Sequence, residues 1–242
     1  MRWALSKALV PVGVCNIAEH VLPGAPPVAL TLRRSGRARR ISLRISQLDG
    51  RVTLTLPAGV KEAEALAFAA SKAEWIRGHL DNRPDEMPVE IGASLPIEGA
   101  EHRIVSTTGR RVVQRDGALG VPEDAAGRRL QAWLKGLSRD RLVAASDHYA
   151  DRLGRSYKRI TLRDTRSRWG SCTSDGGLMF SWRLILAPPK VLRYVAAHEV
   201  AHLAEMNHSP KFWATVERLY GPCDSERRWL RREGATLHRY KF

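Results

Sequence analysis

The chain has 242 residues and a formal net charge of +15, because 40 lysines and arginines outnumber 25 aspartates and glutamates. Its length suffices for one large domain or two smaller ones. No segment approaches the roughly 20 consecutive apolar residues that span a bilayer, which argues against an integral membrane protein and against a membrane partner. The charge excess is carried by arginine, which favours forked contacts with phosphates or carboxylates.

The cysteines and the N-terminal segment bear on the cellular compartment. The chain has three cysteines, Cys15, Cys172 and Cys223. Their odd number and wide spacing predict neither a disulfide framework nor a four-cysteine zinc site, and they suit a reducing cytoplasm. The apolar stretch 8–15 loosely resembles a secretion signal, but Pro11 interrupts it and no cleavage site follows. We therefore predict a cytoplasmic protein in which residues 1–27 are an N-terminal extension.

The next part of the chain has the alternating pattern of half-buried strands. Residues 28–32, 41–45 and 52–56 alternate apolar and polar side chains, and Asp49-Gly50 supplies a hairpin turn. Five arginines crowd the loop that follows the first strand: Arg33, Arg34, Arg37, Arg39 and Arg40. This cluster is interpreted either as a solvated basic turn or as a surface that binds nucleic acid or a nucleotide.

Two helices and several short strands follow. Residues 61–80 place apolar side chains on one face of a helix, on which Trp75 is expected to be a packing anchor. Short alternating runs return between residues 95 and 121. From residue 124 the pattern is helical up to Gly154. We predict a β-rich basic region over residues 28–122 and a metal-dependent hydrolase domain over residues 123–242.

The most informative segment follows predicted strands at 159–163 and 178–184. Pro188-Pro189 opens a helix predicted to run from 189 to 206, which contains His198-Glu199-Val200-Ala201-His202. A spacing of four residues puts both imidazoles on one helical face, where they can hold one zinc ion. Glu199 lies roughly 100° round the helix from His198, so it can act on an activated water without binding the metal.

A catalytic zinc site needs a third protein ligand, and two residues compete for that role. We favour His208, because Asn207 tolerates the left-handed conformation that ends a helix and Ser209-Pro210 is typical of the start of the next one. His208 would therefore lie in a tight turn near the ion. Glu205 is the alternative ligand, although its offset from His202 suits a supporting role.

The last helical stretch contains four arginines that are expected to form a solvated face: Arg227, Arg228, Arg231 and Arg232. His238, near the end of the chain, has no partner pattern and is interpreted as structural.

These motifs together resemble the YgjP-like metallopeptidase domain family, which is related to the SprT-like and WLM zinc proteases. The resemblance rests on four segments in order: residues 168–172 (RWGSC), 182–185 (WRLI) with Pro188, 194–202 (YVAAHEVAH) and 207–213 (NHSPKFW). It implies zinc ligands at His198, His202 and His208 and a general base and acid at Glu199. The fold implied is α+β, with a β-rich N-terminal part before a minimal zincin-like helical core and a short sheet. The strand near residues 178–184 would border the cleft.

Three functions are compatible with these features. The first is a zinc metallopeptidase with an HExxH-x5-H site that acts on polypeptides. The second is a metal-dependent phosphohydrolase acting on nucleotides, which would use the arginine excess. The third is a nucleic-acid-binding protein with structural zinc. The roles of Arg166, Arg168 and Cys172 stay open between substrate binding, pairing with a buried carboxylate and packing.

Overall fold

The computed structural model describes residues 17–46, 50–81 and 85–242. Cys15, Asp49 of the predicted hairpin turn, and residues 1–16 of the predicted N-terminal extension lie outside the described residues. The described residues form two compact units, one ending at residue 81 and the other beginning at residue 85. Helices and several small mixed sheets make up the chain, so the predicted α+β class is confirmed.

The first unit is a four-stranded sheet with two helices. Its elements are β1 (Ile17–Leu22), β2 (Val28–Ser35), β3 (Ser42–Ile45), β4 (Val52–Pro57), α1 (Glu62–Ser71) and α2 (Ala73–Asp81). The strand order is β1-β2-β4-β3, with β2 parallel to β4. Val52, Leu54 and Leu56 are buried in alternation along β4, as the sequence pattern predicts. β1 lies within the segment that was predicted to be an extension, and it pairs antiparallel with β2.

The helix predicted over residues 61–80 is interrupted. α1 ends at Ser71, and Lys72 departs from helical geometry before α2 begins. Ile76 is buried in the core of this unit, but Trp75 is 46% exposed and contacts the ring of His79 one turn along. The expectation that Trp75 is a packing anchor is therefore wrong, because the adjacent Ile76 takes the inward position on the helix.

The second unit holds the remaining elements. They are β5 (Met87–Pro88), β6 (Ser94–Ile97), β7 (Ala100–Ser106), β8 (Val113–Arg115), β9 (Ala118–Val121), α3 (Ala126–Leu153), β10 (Arg159–Arg163), β11 (Gly170–Cys172), β12 (Gly177–Ser181), a 3-10 helix (Trp182–Leu186), α4 (Pro189–Ala201), α5 (Pro210–Tyr220), α6 (Asp224–Glu233), a second 3-10 helix (Gly234–His238) and β13 (Tyr240–Lys241). One sheet has the order β6-β7-β9-β8 and another the order β10-β12-β11. β13 pairs with β5.

The division between the two units differs from the predicted boundary at residues 122 and 123. Leu95, Ile104 and Leu119, from β6, β7 and β9, belong to the same hydrophobic core as the buried faces of α3 and α4. The strands between residues 94 and 121 are therefore part of the unit that contains the predicted metal helix. Within the described residues, no helix combines the length and apolar character needed to cross a membrane.

Candidate metal centre

The strand that approaches the predicted metal helix is β11. β12 is the central strand of its sheet, and the segment predicted as a strand up to residue 184 turns at Trp182 into a buried 3-10 helix. At Gly170, the first residue of β11, an added Cβ would meet Cγ of Glu199 at 2.6 Å. The expectation that the strand near residues 178–184 borders the site is therefore corrected: the edge strand β11 does so, because the core encloses the other segment.

α4 is buried along most of its length, which agrees with the apolar flanks in the sequence. It ends at Ala201 rather than at 206, and His202 is its C-cap. The amides of Leu203 and Ala204 donate to carbonyls three residues back, at 3.0 and 3.1 Å. These shorter turns tighten the chain beyond the helix and change its direction.

The tight turn predicted to carry His208 is present. The Asn207 side-chain oxygen accepts a hydrogen bond from the Ser209 amide at 3.1 Å, and the Ser209 hydroxyl caps α5 by accepting from the Phe212 amide. Asn207 does not have the positive φ expected of a helix-ending residue. Its side chain stabilises the turn instead, since α4 has ended six residues earlier.

The turn brings three imidazoles together. One ring nitrogen from each of His198, His202 and His208 lies within 4.8 Å of the others. The Nε2 atoms of His198 and His208 face each other at 3.1 Å. Two nitrogens bound to one tetrahedral zinc ion would be about 3.3 Å apart. The donor set therefore fits a zinc ion, and the spacing of His198 and His208 is close to this value.

Hydrogen bonding selects the ring nitrogen that His202 offers. Its Nδ1 lies 2.9 Å from the backbone carbonyl oxygen of Glu205. A carbonyl only accepts, so Nδ1 carries the hydrogen and Nε2 keeps its lone pair for a metal. Glu205 thus contributes its backbone oxygen to this arrangement, and its carboxylate is not in the three-residue group that could hold an ion.

Burial favours the neutral, metal-binding form of two of the imidazoles, those of His198 and His202. Burial lowers the pKa of His198 to about 3, and the neighbouring imidazoles and Arg227 add to this effect. Burial also lowers the pKa of His202. Nδ1 of His198 is buried without a hydrogen-bond partner in the described part of the chain, so no acceptor there stabilises a proton on this nitrogen.

Glu199 is placed beside this cluster in an apolar setting. The residue is only 6% exposed, and none of the described lysines or arginines forms an ion pair with it. Burial raises its pKa to about 8, while the positive charge of Arg168 acts in the opposite direction. A buried carboxylate without an ion-pair partner fits a site that receives a cation, since a nearby positive charge favours its charged form.

The three residues with open roles differ in environment. Arg168 is exposed, near enough to Glu199 to affect its pKa, and its backbone carbonyl accepts from the Thr165 hydroxyl at 2.8 Å. Burial raises the pKa of Cys172 to about 11, and its thiol donates to the Thr173 carbonyl oxygen. These properties suit a packed thiol rather than a nucleophile. Arg166 is exposed, and its role stays open.

Arg227 departs from the expected solvated face. Its guanidinium lies 4.5 Å over the ring of Trp213, and its charge contributes to the lowered pKa of His198. The other three arginines of α6 are exposed, as predicted: Arg228, Arg231 and Arg232. Arg228 donates to the backbone carbonyl of Asp224, and Arg232 donates to the carboxylate of Glu233. His238 is buried against the ring of Trp169, which agrees with a structural role.

The arginine cluster lies in the first unit. Arg34 donates to the carbonyl oxygens of Ala58 and Val60, so it stabilises the chain after β4. Arg33, Arg37, Arg39 and Arg40 are exposed. Binding of nucleic acid or a nucleotide by this cluster stays a prediction.

A model of the YgjP-like metallopeptidase domain matches residues 39–233. The chain belongs to the YgjP-like family. Among solved structures, it is similar to the metallopeptidase zymogen of Pyrococcus abyssi abylysin, at 20% sequence identity and a TM-score of 0.35; 42% of this chain and 99% of that chain are covered. A search of curated proteins gives no match.

Family membership confirms the suspected resemblance and the expectation of a hydrolytic enzyme. A YgjP-like metallopeptidase domain implies a metal cofactor and a polypeptide substrate. The three clustered imidazoles are the described residues that could hold such a metal.

Sequence reasoning missed Gly170 and Arg227 as residues of this region. Gly170 is part of the RWGSC motif. A glycine between Trp169 and Ser171 could have indicated that another side chain packs closely against the backbone there. Arg227 had no such signal, because its contact with Trp213 depends on how α6 packs against α5.

Proposed function

We propose that the chain is a zinc metallopeptidase with an HExxH-x5-H site, in which His198, His202 and His208 hold the ion. The observation that carries this proposal is the convergence of three imidazole nitrogens within 4.8 Å beside a buried glutamate. Three imidazole nitrogens suit zinc and leave a coordination position open for chemistry. We place this function in residues 123–242, and the strands between 94 and 121 share their folded unit.

Glu199 is the general base and acid in this proposal. When bound, zinc supplies Lewis-acid chemistry that polarises the scissile carbonyl and lowers the pKa of water. The Glu199 carboxylate accepts the proton of the attacking water and later delivers it to the leaving amine nitrogen. Beside a bound cation this buried carboxylate would keep its charged form, which is the form that accepts a proton.

Side chains around the site support this assignment by orienting its groups. His202 is oriented by the Glu205 carbonyl oxygen and stacks on Phe212 at 4.4 Å. Gly170 leaves space for the Glu199 side chain. We also propose a cytoplasmic location, which the free thiols of Cys172 and Cys223 support.

The reaction class can be tested directly. Zinc-loaded protein is incubated with a panel of unfolded polypeptides and, in parallel, with nucleoside triphosphates. Turnover of polypeptides alone is the expected result. Hydrolysis of nucleotides alone would replace the proposal with the phosphohydrolase alternative, and salt-sensitive nucleic-acid binding without turnover of either panel would favour structural zinc.

A further inference from the structure

Arg227 occupies a position that the other arginines of α6 do not have. Its guanidinium carbon lies 4.5 Å from the centre of the Trp213 ring. That ring lies 5.8 Å from the imidazole of His198 and 5.9 Å from the imidazole of His208. The same indole ring therefore contacts the guanidinium and lies beside two of the three clustered histidines.

The charge of Arg227 is only weakly neutralised. Among the described residues its ion-pair partner is Asp224, at 3.5 Å, and the Asp224 side chain is 84% exposed. Such a pair is screened by water and contributes little. The Arg227 side chain is itself 39% exposed. The guanidinium lies over the indole at 4.5 Å, and it carries several N–H donors of which one is directed at Asp224.

The electrostatic effects of Arg227 reach α4. Burial raises the pKa of Tyr194 to about 12, Cys223 adds to the increase, and Arg227 opposes it. Tyr194 lies one turn before His198, and their rings are 5.9 Å apart. Arg227 therefore lies on the side of the histidine cluster formed by Tyr194 and Trp213, whereas Arg168 is the cation that acts on Glu199.

We propose that Arg227 determines substrate specificity by binding an acidic side chain of the polypeptide next to the scissile bond. This inference rests on the proposed peptidase function and adds the substrate class, acidic polypeptide segments. A guanidinium binds a carboxylate through two parallel hydrogen bonds. Contact with Trp213 restricts the orientation of the guanidinium, so less conformational entropy is lost when a carboxylate binds.

The test uses zinc-loaded full-length protein and peptides that are identical except for Glu, Gln or Lys at one position near the cleavage point. At one such position, wild type is expected to have a kcat/KM for the Glu peptide roughly fivefold above that for the Gln peptide, the range of one exposed charge pair. Arg227→Gln should remove the preference, and Arg227→Glu should favour the Lys peptide. Arg231→Gln, which removes an exposed charge from the same helix, is the matched control and should keep it.

A binding measurement separates recognition from turnover. Anisotropy of labelled peptides with Glu199→Gln protein should give the same Glu-to-Gln ratio in Kd, and adding Arg227→Gln should abolish that ratio. Cleavage without a Glu preference at any position, or a preference that survives Arg227→Gln, would overturn the proposed role of Arg227. Neither result would contradict the proposed peptidase function. If wild type cleaves no peptide, the proposed function fails and this inference fails with it.

Discussion

The side chain of Glu199 lies directly over the α-carbon of Gly170. A Cβ at position 170 would meet Oε1 and Cγ of Glu199 at 2.6 Å, a distance below any normal van der Waals contact. Glu199 is buried, so its carboxylate has little room to move aside. This contact links the edge strand β11 to the proposed general base on α4.

Gly170→Ala should therefore impair catalysis without removing the metal. We expect peptidase activity to fall by at least roughly tenfold, since displacement of a catalytic group by about 1 Å can cost far more. Zinc content should stay at the wild-type level, because the three atoms nearest to the new methyl group all belong to Glu199, which is not a proposed ligand. Rates and elemental analysis of the same preparations test this, and unchanged activity would show that Glu199 does not need its present position.

The identity of the third ligand gives a second prediction. His208→Ala should weaken zinc affinity by more than the roughly 10- to 100-fold that loss of a supporting partner costs. Glu205→Ala should change affinity little, because Glu205 contributes a backbone carbonyl. Competition with a chromophoric chelator measures both. The opposite order, with Glu205→Ala losing zinc and His208→Ala retaining it, would transfer the ligand role to Glu205.

Sequence periodicity predicted much of the local structure. The alternation along β4, the cap formed by Ser209 and the end of α3 at Gly154 depend on neighbouring residues and were visible in the sequence. The spacing of His198 and His202 likewise follows from helix geometry. Such features need no knowledge of distant contacts.

Features that depend on distant contacts were less predictable. The end of α4 at Ala201 depends on the tightened turn that follows it and on the bond between His202 and the Glu205 carbonyl. The unit boundary depends on a core that joins β6, β7 and β9 to α3 and α4. No local pattern in the sequence reports these contacts.

His238 provides a prediction for stability against pH. Burial lowers the pKa of this histidine to about 4, and the charge of Arg183 adds to the effect. The unfolded chain, with an ordinary pKa near 6.5, therefore binds a proton that the folded chain does not between pH 6.5 and 4. The contribution of neutral His238 to the free energy of unfolding is complete above pH 6.5 and is lost as the pH falls through this window. The loss is about 3 kcal/mol at most.

His238→Phe keeps an aromatic ring against Trp169 and removes the titrating group. The free energy of unfolding should then fall less between pH 7.5 and pH 4.5 than it does in wild type. Denaturant titrations of both proteins at the two pH values supply the comparison. Parallel losses in the two proteins would assign the acid sensitivity to other groups.

Arg183 provides a prediction for the stability of the second unit. The residue is 7% exposed, makes two hydrogen bonds to the carboxylate of Asp164, and donates to the carbonyl oxygens of Leu237 and Tyr240. Arg183→Met would leave these acceptors unpaired and should cost about 3 to 5 kcal/mol of unfolding free energy. Arg231→Met, on an exposed position, should change stability by less than about 0.5 kcal/mol. Equal effects would contradict the structural role of Arg183.

The most direct test of zinc-dependent hydrolysis with Glu199 as the base is the Glu199→Gln variant. It keeps the shape of the side chain and removes its ability to accept a proton. We predict about one zinc per chain and a melting temperature near that of wild type, because no ligand is lost. Peptidase activity should fall by roughly 10²- to 10⁴-fold, the usual cost of losing a general acid–base group. A variant that binds zinc and cleaves polypeptides at the wild-type rate would contradict this account.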